Sequence, residues 1–302
     1  MTHAEARHAL SIGLEEQIAE LRRQRPRRRV AEIVFFVSLW SIGILLGLTG
    51  WTFAGIAASA AALNAFCLLS HEAHHNLLFR NRFLNDAISV VLCIPLLHSS
   101  SAYRVLHDLH HEFLGGPGDP DDYRNYTSDS RVRWGLQWIR LTIAALVYVP
   151  MIPIVAWRRA DRADRTRLVL ECGLIAAVVI PFFAVTPIRI LLQAWVIPGV
   201  LVGYIAGVRG LTQHALTDSN DALLASRSVR SNRVVAFLLL NENFHLEHHL
   251  FPEIPSYNLP RLRELLRARL PRSAEATSYT RFLARFVARF LRGDDSPMGL
   301  AT

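Results

Sequence analysis

Lysine is absent from this 302-residue chain; all 33 basic residues are arginine, a mark of GC-rich coding that carries no chemistry of its own. Cysteine is scarce too. Cys67, Cys93 and Cys172 are the three present, none in a CxxC pair and each within an apolar stretch. That spacing excludes a thiolate zinc site and a disulfide framework, and it predicts buried thiols. Charge is thin, with 19% of residues charged against 51% hydrophobic. A disordered chain needs the opposite balance, and a mean hydropathy of +0.23 is high for a soluble protein. No apolar core lies near Met1, which argues against a cleavable secretory signal.

What the chain has in quantity is long apolar runs. Residues 1–29 are polar, end in Arg22, Arg23, Arg25, Arg27, Arg28 and Arg29, and read as a cytoplasmic basic segment. His3 and His8 fall on this segment, which is expected to be mobile, and have no catalytic part. Apolar runs then cover Val30–Gly50, broken only by Glu32, and Trp51–Leu69. Each is long enough to cross about 30 Å of hydrocarbon at ~1.5 Å per residue. They predict a helical hairpin turning near Gly50, with the arginines holding the N-terminus in the cytoplasm and His71 returning to that face.

Further apolar runs cover 136–157, 168–185 and 188–208. The arginines between them, Arg158, Arg159, Arg162, Arg165 and Arg167, belong in the cytoplasm. Pro150 and Pro153 make 136–157 a re-entrant or interfacial segment, while 168–185 and 188–208, joined at Thr186-Pro187, form a second hairpin. The predicted fold class is therefore all-α and integral to the membrane: four transmembrane helices in two hairpins under a cytoplasmic helical cap, with both termini inside. A soluble protein with buried core helices is the competing reading.

Near the C-terminus, Phe282, Phe286 and Phe290 recur at four-residue steps among Arg281, Arg285, Arg289 and Arg292. That is the pattern of a basic helix lying on an anionic membrane surface. Leu262, Leu265, Leu266 and Leu270 make a similar stripe. Both stripes suit packing against the cap equally well. Either way the net charge of +8 has a membrane explanation, and no nucleic acid is needed.

Of 13 histidines, nine fall in three copies of one pattern: His71-Glu-Ala-His74-His75, His107-Asp-Leu-His110-His111 and His245-Leu-Glu-His248-His249. On a helix, positions i, i+3 and i+4 share a face, so each HxxHH turns its imidazoles one way. Neutral imidazole is the commonest protein ligand of transition metals. Satisfied or surface histidines explain one such box but not three. Zinc would take about four ligands per ion, often with Cys or carboxylate, and calcium and magnesium require oxygen. About nine nitrogen ligands suit two iron ions instead, with room left for oxygen. Glu72, Asp108, Glu242 and Glu247 either hold the distal ring N–H groups or are solvated.

The stretches HEAHHNLLFRNRFLND, HDLHHEFLGGPGDPDD and NENFHLEHHLFPEIPSYNLPRL resemble the membrane fatty acid desaturase family, whose superfamily includes hydroxylases and carotenoid ketolases. The resemblance makes residues 30–270 the catalytic domain, between the basic segment 1–29 and an amphipathic tail 271–302. It implies a di-iron enzyme that uses O₂ and two externally supplied electrons. Carried over residue by residue, it implies the metal ligands His71 and His75 from an HxxxH first box, His107, His110 and His111 from the second, and His245, His248 and His249 from the third. His214, in Arg-Gly-Leu-Thr-Gln-His, matches a further ligand before the third box. His74 stands where many members have a small residue and is left as an outer or spare histidine. Gly210 occupies a position where some members have Asn. His98, in Leu-Leu-His-Ser-Ser, reads as a polar cap at the interface.

The activity this resemblance implies is introduction of a double bond into the acyl chain of a lipid, by hydrogen removal from neighbouring carbons. Recapture of hydroxyl by the substrate radical would make a hydroxylase instead, and small shifts of substrate decide between them. No Gly-rich dinucleotide fingerprint and no haem-binding His-Pro-Gly-Gly segment is present. Electrons are therefore expected from a separate ferredoxin or similar carrier with its reductase, docked by cytoplasmic arginines. A metal transporter is the reading from another class; transporters keep polar ligands near mid-span, whereas these histidines flank the spans.

Overall fold

The computed structural model describes residues 1–217, 221–271, 275–276 and 278–292. In chain order the helices are α1 (His3–Ser11), α2 (Glu15–Leu21), α3 (Pro26–Leu48), α4 (Thr52–His74), α5 (Arg82–Cys93), α6 (Ser100–Phe113), α7 (Ser130–Thr142), α8 (Ala144–Arg159) and α9 (Arg162–Val185). After these come α10 (Ile188–Leu191), a π turn over Leu192–Val196 and α11 (Ile197–His214), which run on as one helix. Then follow α12 (Arg233–Leu238), α13 (His245–Leu250), α14 (Leu259–Leu266) and α15 (Tyr279–Phe290). Two short strands, β1 (Ser228–Val229) and β2 (Glu275–Ala276), pair in parallel. The chain divides into two compact units. One comprises Met1–Arg23, Leu109–Trp138 and the described residues from Gly207 on; the other comprises Gln24–Asp108 and Ile139–Ala206.

The second unit carries the apolar helices. Pro26 opens α3 at a position where its missing N–H costs nothing. Along α3 and α9, apolar side chains stay open over most of the helix surface, among them Leu45 at 60% and Leu170 at 68% exposure. A helix apolar all round and this open needs a nonpolar solvent. Pro26–Leu48, Thr52–His74, Arg162–Val185 and Ile188–His214 are long and apolar enough to cross a membrane. The number rises to six if two bent pairs, Arg82–Leu96 with Ser100–Phe113 and Ser130–Thr142 with Leu146–Arg159, each count as one span. The apolar run 136–157 is thus divided at Ile143 between α7 and α8, with Pro150 and Pro153 inside α8.

After α3 the chain turns through Gly50 at φ +94°, and α4 packs back on α3 through glycine. A Cβ at Gly43 would stand 2.9 Å from the Gly55 carbonyl oxygen, and one at Gly55 would stand 2.6 Å from that of Gly43. Trp40 on α3 donates its indole N–H to the Ala194 carbonyl in the π turn at 2.9 Å. Of the three thiols, Cys93 is buried as expected, but Cys67 and Cys172 are only half-buried, both on helices long and apolar enough to cross a membrane.

In the first unit, Ala6 and Leu10 of α1, Ile18 and Leu21 of α2, Leu246 and Leu250 of α13, and Leu259, Leu262 and Leu266 of α14 share one buried core. The N-terminal segment is therefore not mobile. Four apolar residues on two short helices anchor it, and a reciprocal Thr2–Glu5 capping box starts α1. The leucine stripe of 260–270 is consumed in this core. Phe282 and Phe286 on α15 are buried as well, with the Arg227 guanidinium 5.1 Å above the Phe282 ring. Packing, not a membrane surface, covers the described apolar face of α15. The Phe290 side chain and the part of the tail 271–302 beyond residue 292 lie outside the described residues.

Candidate metal centre

In the second unit the first box closes α4. His71 and His74 lie in its last turn and His75 caps it, after which Asn76 turns the chain at φ 58°. Asn85 on α5 holds that turn, donating to the Ala73 carbonyl at 2.7 Å and accepting from the Leu78 N–H at 3.2 Å. His107 on α6 joins the group. The ligand-capable nitrogens of His71, His75 and His107 lie within 4.8 Å of one another, and His75 Nε2 is 2.8 Å from His107 Nε2.

In the first unit, His110 on α6, His214 at the end of α11, and His245 and His249 on α13 form a second group within the same 4.8 Å. His245 Nε2 is 2.8 Å from that of His214 and 3.1 Å from that of His249. His111 and His248 pair at 3.1 Å, again Nε2 to Nε2. All nine histidines that the resemblance implies as ligands fall in these groups. His74 and His98 do not: His74 Nε2 lies 3.3 Å from Ser100 Oγ, and His98 Nδ1 lies 3.4 Å from the Ser99 carbonyl.

The carboxylates meet the expectation in part, since Glu242 stands beside a ring nitrogen and Asp108 is solvated while Glu72 and Glu247 pair with arginines. His110 Nδ1 lies 2.9 Å from Asp119, which also accepts the Gly115 N–H at 2.7 Å and the Asp121 N–H at 2.8 Å. Burial pushes the Asp119 carboxyl up, but the hydrogen bond and charge of His110 and the two backbone N–H groups outweigh it and hold it below the usual range. Among the four acids named beforehand, Glu242 comes within 3.5 Å of His245 Nδ1. Glu247 faces Ser228 Oγ and Arg263, the latter at 2.7 Å; Glu72 pairs with the buried Arg29 of α3; Asp108 is exposed. Asp119 escaped sequence reading because it lies in an aperiodic loop. Its signal was the Gly-Gly-Pro-Gly-Asp turn just after the second box, where Gly115 and Gly118 take positive φ.

Arg227 was also missed. It donates to the carbonyls of Thr212, Ala215 and Leu216 at 3.0, 2.7 and 2.8 Å, closing the last turn of α11 that carries His214. Burial pushes its guanidinium down to about 10.

A neutral imidazole has one proton for two nitrogens. With Asp119 engaging His110 through Nδ1, Nε2 is left as an acceptor, and the neighbouring Nε2 atoms cannot all donate to one another. Burial first, and the surrounding imidazoles next, hold His249 well below the ordinary histidine value, so its lone pair stays available. Converging imidazole nitrogens fit a transition-metal cation, and such a donor set does not suit calcium or magnesium.

A profile of the family described as fatty acid desaturase matches residues 49–281. Among curated proteins, an sn-1 oleoyl-lipid 12-desaturase of Arthrospira platensis is 23% identical over 233 residues, covering 69% of this chain and 65% of that protein. A Delta(5) fatty acid desaturase of Caenorhabditis elegans is 26% identical, over 66% of this chain and 53% of its own length. A sphingolipid delta(4)-desaturase/C4-monooxygenase of Bos taurus is 25% identical, over 71% and 66%. The match thus spans two thirds or less of these relatives. It nonetheless takes in all three histidine boxes and most of the chain, which belongs to the fatty acid desaturase family.

Proposed function

We propose that this membrane protein is an O₂-dependent desaturase whose histidines His71, His75, His107, His110, His111, His214, His245, His248 and His249 hold two iron ions, and that it introduces a double bond into the acyl chain of a lipid. The observation that carries the reading is the donor set: groups of imidazoles converging through Nε2, with no cysteine among them. Bound there, iron would supply the oxidising power to take hydrogen from an unactivated methylene, which lies beyond side-chain acid–base chemistry.

The chain's own residues position and shield. Asp119 orients His110 and fixes its tautomer. Arg263 and Ser228 converge on Glu247 and pin α13 with its three histidines. Arg227 does the same for His214, and the Arg29–Glu72 pair locks the end of α4. The apolar spans offer a hydrocarbon chain a water-free approach. In this reading they form two hairpins with the site on the cytoplasmic side, and a separate ferredoxin-like carrier with its reductase delivers the electrons at an arginine-rich face.

The test is mass spectrometry of total fatty acids from a bacterial host expressing the chain together with ferredoxin and its reductase. A His248→Ala/His249→Ala variant matched for membrane abundance is the control. New unsaturated chains that vanish in the variant are expected. An unchanged profile, together with purified chain holding no stoichiometric iron, would overturn the reading. The similarity to a desaturase/C4-monooxygenase favours hydroxylation as the second reading, and hydroxylated chains in the same spectra would select it.

A further inference from the structure

His74 belongs to the first box yet to neither histidine group. It is 7% exposed, and its Nδ1 has no partner among the described residues. On its other side Nε2 is 3.3 Å from Ser100 Oγ, itself 2.7 Å from Ser89 Oγ. Whichever ring nitrogen carries the proton, Nδ1 offers a bare donor or a bare acceptor. His74, Ser89 and Ser100 line a cavity of about 280 Å³ in the second unit, with Arg104 and Arg167 at its wall.

The charges there do not select an anion. Asp164 takes both Arg104, at 3.2 Å, and Arg167, at 3.5 Å. Asp86 lies 4.0 Å from Arg104. Glu171, also in the wall, is occupied by the Ser99 hydroxyl and by the Ser101 hydroxyl and N–H. Two arginines thus stand against three carboxylates, so the wall carries no excess positive charge, and the unpartnered buried atom in it is the imidazole nitrogen His74 Nδ1. Position narrows the occupant further. His74 ends one candidate span, and Arg167 and Glu171 lie in the first turns of another. Phe83, in the same wall, is 83% exposed. A polar cleft at the ends of apolar spans, flanked by an open aromatic, lies where lipid heads meet protein.

We propose that this cleft binds the uncharged, hydrogen-bonding head of a membrane lipid, its hydroxyl and ester groups meeting His74 and the serine pair. The site is separate from the nine proposed ligands and does not require that the lipid be turned over.

The experiment is native mass spectrometry of the purified full chain titrated with 1,2-dioleoylglycerol, dioleoylphosphatidylglycerol, oleate or free glycerol. One dioleoylglycerol per chain is expected, held more tightly than the two anionic lipids. Its affinity should fall about tenfold in Ala87→Phe, which fills the cleft from a half-buried position. Ser89→Ala removes a hydroxyl without adding bulk and should lower affinity by about threefold, which keeps the test available if the larger side chain prevents folding. Wild-type affinity in both variants, or equally tight binding of phosphatidylglycerol or oleate, would overturn the proposal. Glycerol binding as tightly as the lipid would make the occupant a free polyol and overturn it too. Because binding is read without turnover, an inactive chain that still holds the lipid sinks the desaturase reading alone.

Discussion

Replacing Asp119 by Asn tests the proposed metal centre. Asp119 is 2% exposed and lies 2.9 Å from His110 Nδ1 while accepting two backbone N–H groups. Asn keeps the shape but removes the charge, and its amide can turn a donor toward the imidazole. His110 is then free to carry its proton on Nε2, the nitrogen that faces the group. Loss of such an outer partner lowers metal affinity by about 10- to 100-fold, or roughly 1.4–2.8 kcal/mol. Iron retained per chain after dialysis against graded chelator reads this directly, with circular dichroism to show that helix content is unchanged. The wild-type carboxyl titrates below its unfolded value of about 3.9, so on acidification the unfolded chain takes up the proton first. Its stabilisation is complete above about pH 4 and is lost as the pH falls through the lower folded value. The stability gap between wild type and variant should therefore be flat near neutrality and close in acid. A variant that keeps its iron at wild-type chelator concentrations would refute the reasoning.

Four further perturbations have defined outcomes. Arg263→Met leaves the fully buried Glu247 carboxylate without its charge partner, only the Ser228 hydroxyl remaining, and should cost about 3 kcal/mol in thermal or denaturant unfolding; adding Glu247→Gln should recover part of that. Gly43→Ala puts a methyl against the Gly55 carbonyl and should destabilise by about 1–3 kcal/mol. Gly173→Ala in α9 meets nothing within 4 Å and should be neutral or stabilising by up to ~1 kcal/mol. Arg227→Gln shortens the reach to three carbonyls at the end of α11, so iron retention should fall with little change in the melting of the apolar helices.

The clustering histidine boxes and the apolar runs were legible because each is a local pattern: an HxxHH repeat marks a shared helix face, and an unbroken apolar stretch a candidate span, within a few residues. His214 came only through resemblance, being a lone histidine at a helix end. Asp119 and Arg227 act through loop geometry and contacts with elements elsewhere in the chain, for which a single sequence has no periodicity. The N-terminal helices were misread for a related reason. Ala6, Leu10, Ile18 and Leu21 are too sparse to announce a core. Phe282 and Phe286 show the limit of amphipathicity itself, since the same stripe serves a lipid surface or a protein neighbour, and only the packed partner decides.

The glycine contact between α3 and α4 bears on biogenesis. Backbones that approach until each carbonyl nearly touches the facing Cα leave no width for an acyl tail between them. Association of this kind is driven by fit rather than by water, and it forms only once both segments are in the hydrocarbon. With a turn of a few residues at Gly50, the second segment is emerging from the ribosome while the first is still being placed. The two are thus suited to leave the translocon as a zipped pair, so a substitution at Gly43 should show up as poor insertion and degradation of newly made chain before it shows up as lost catalysis.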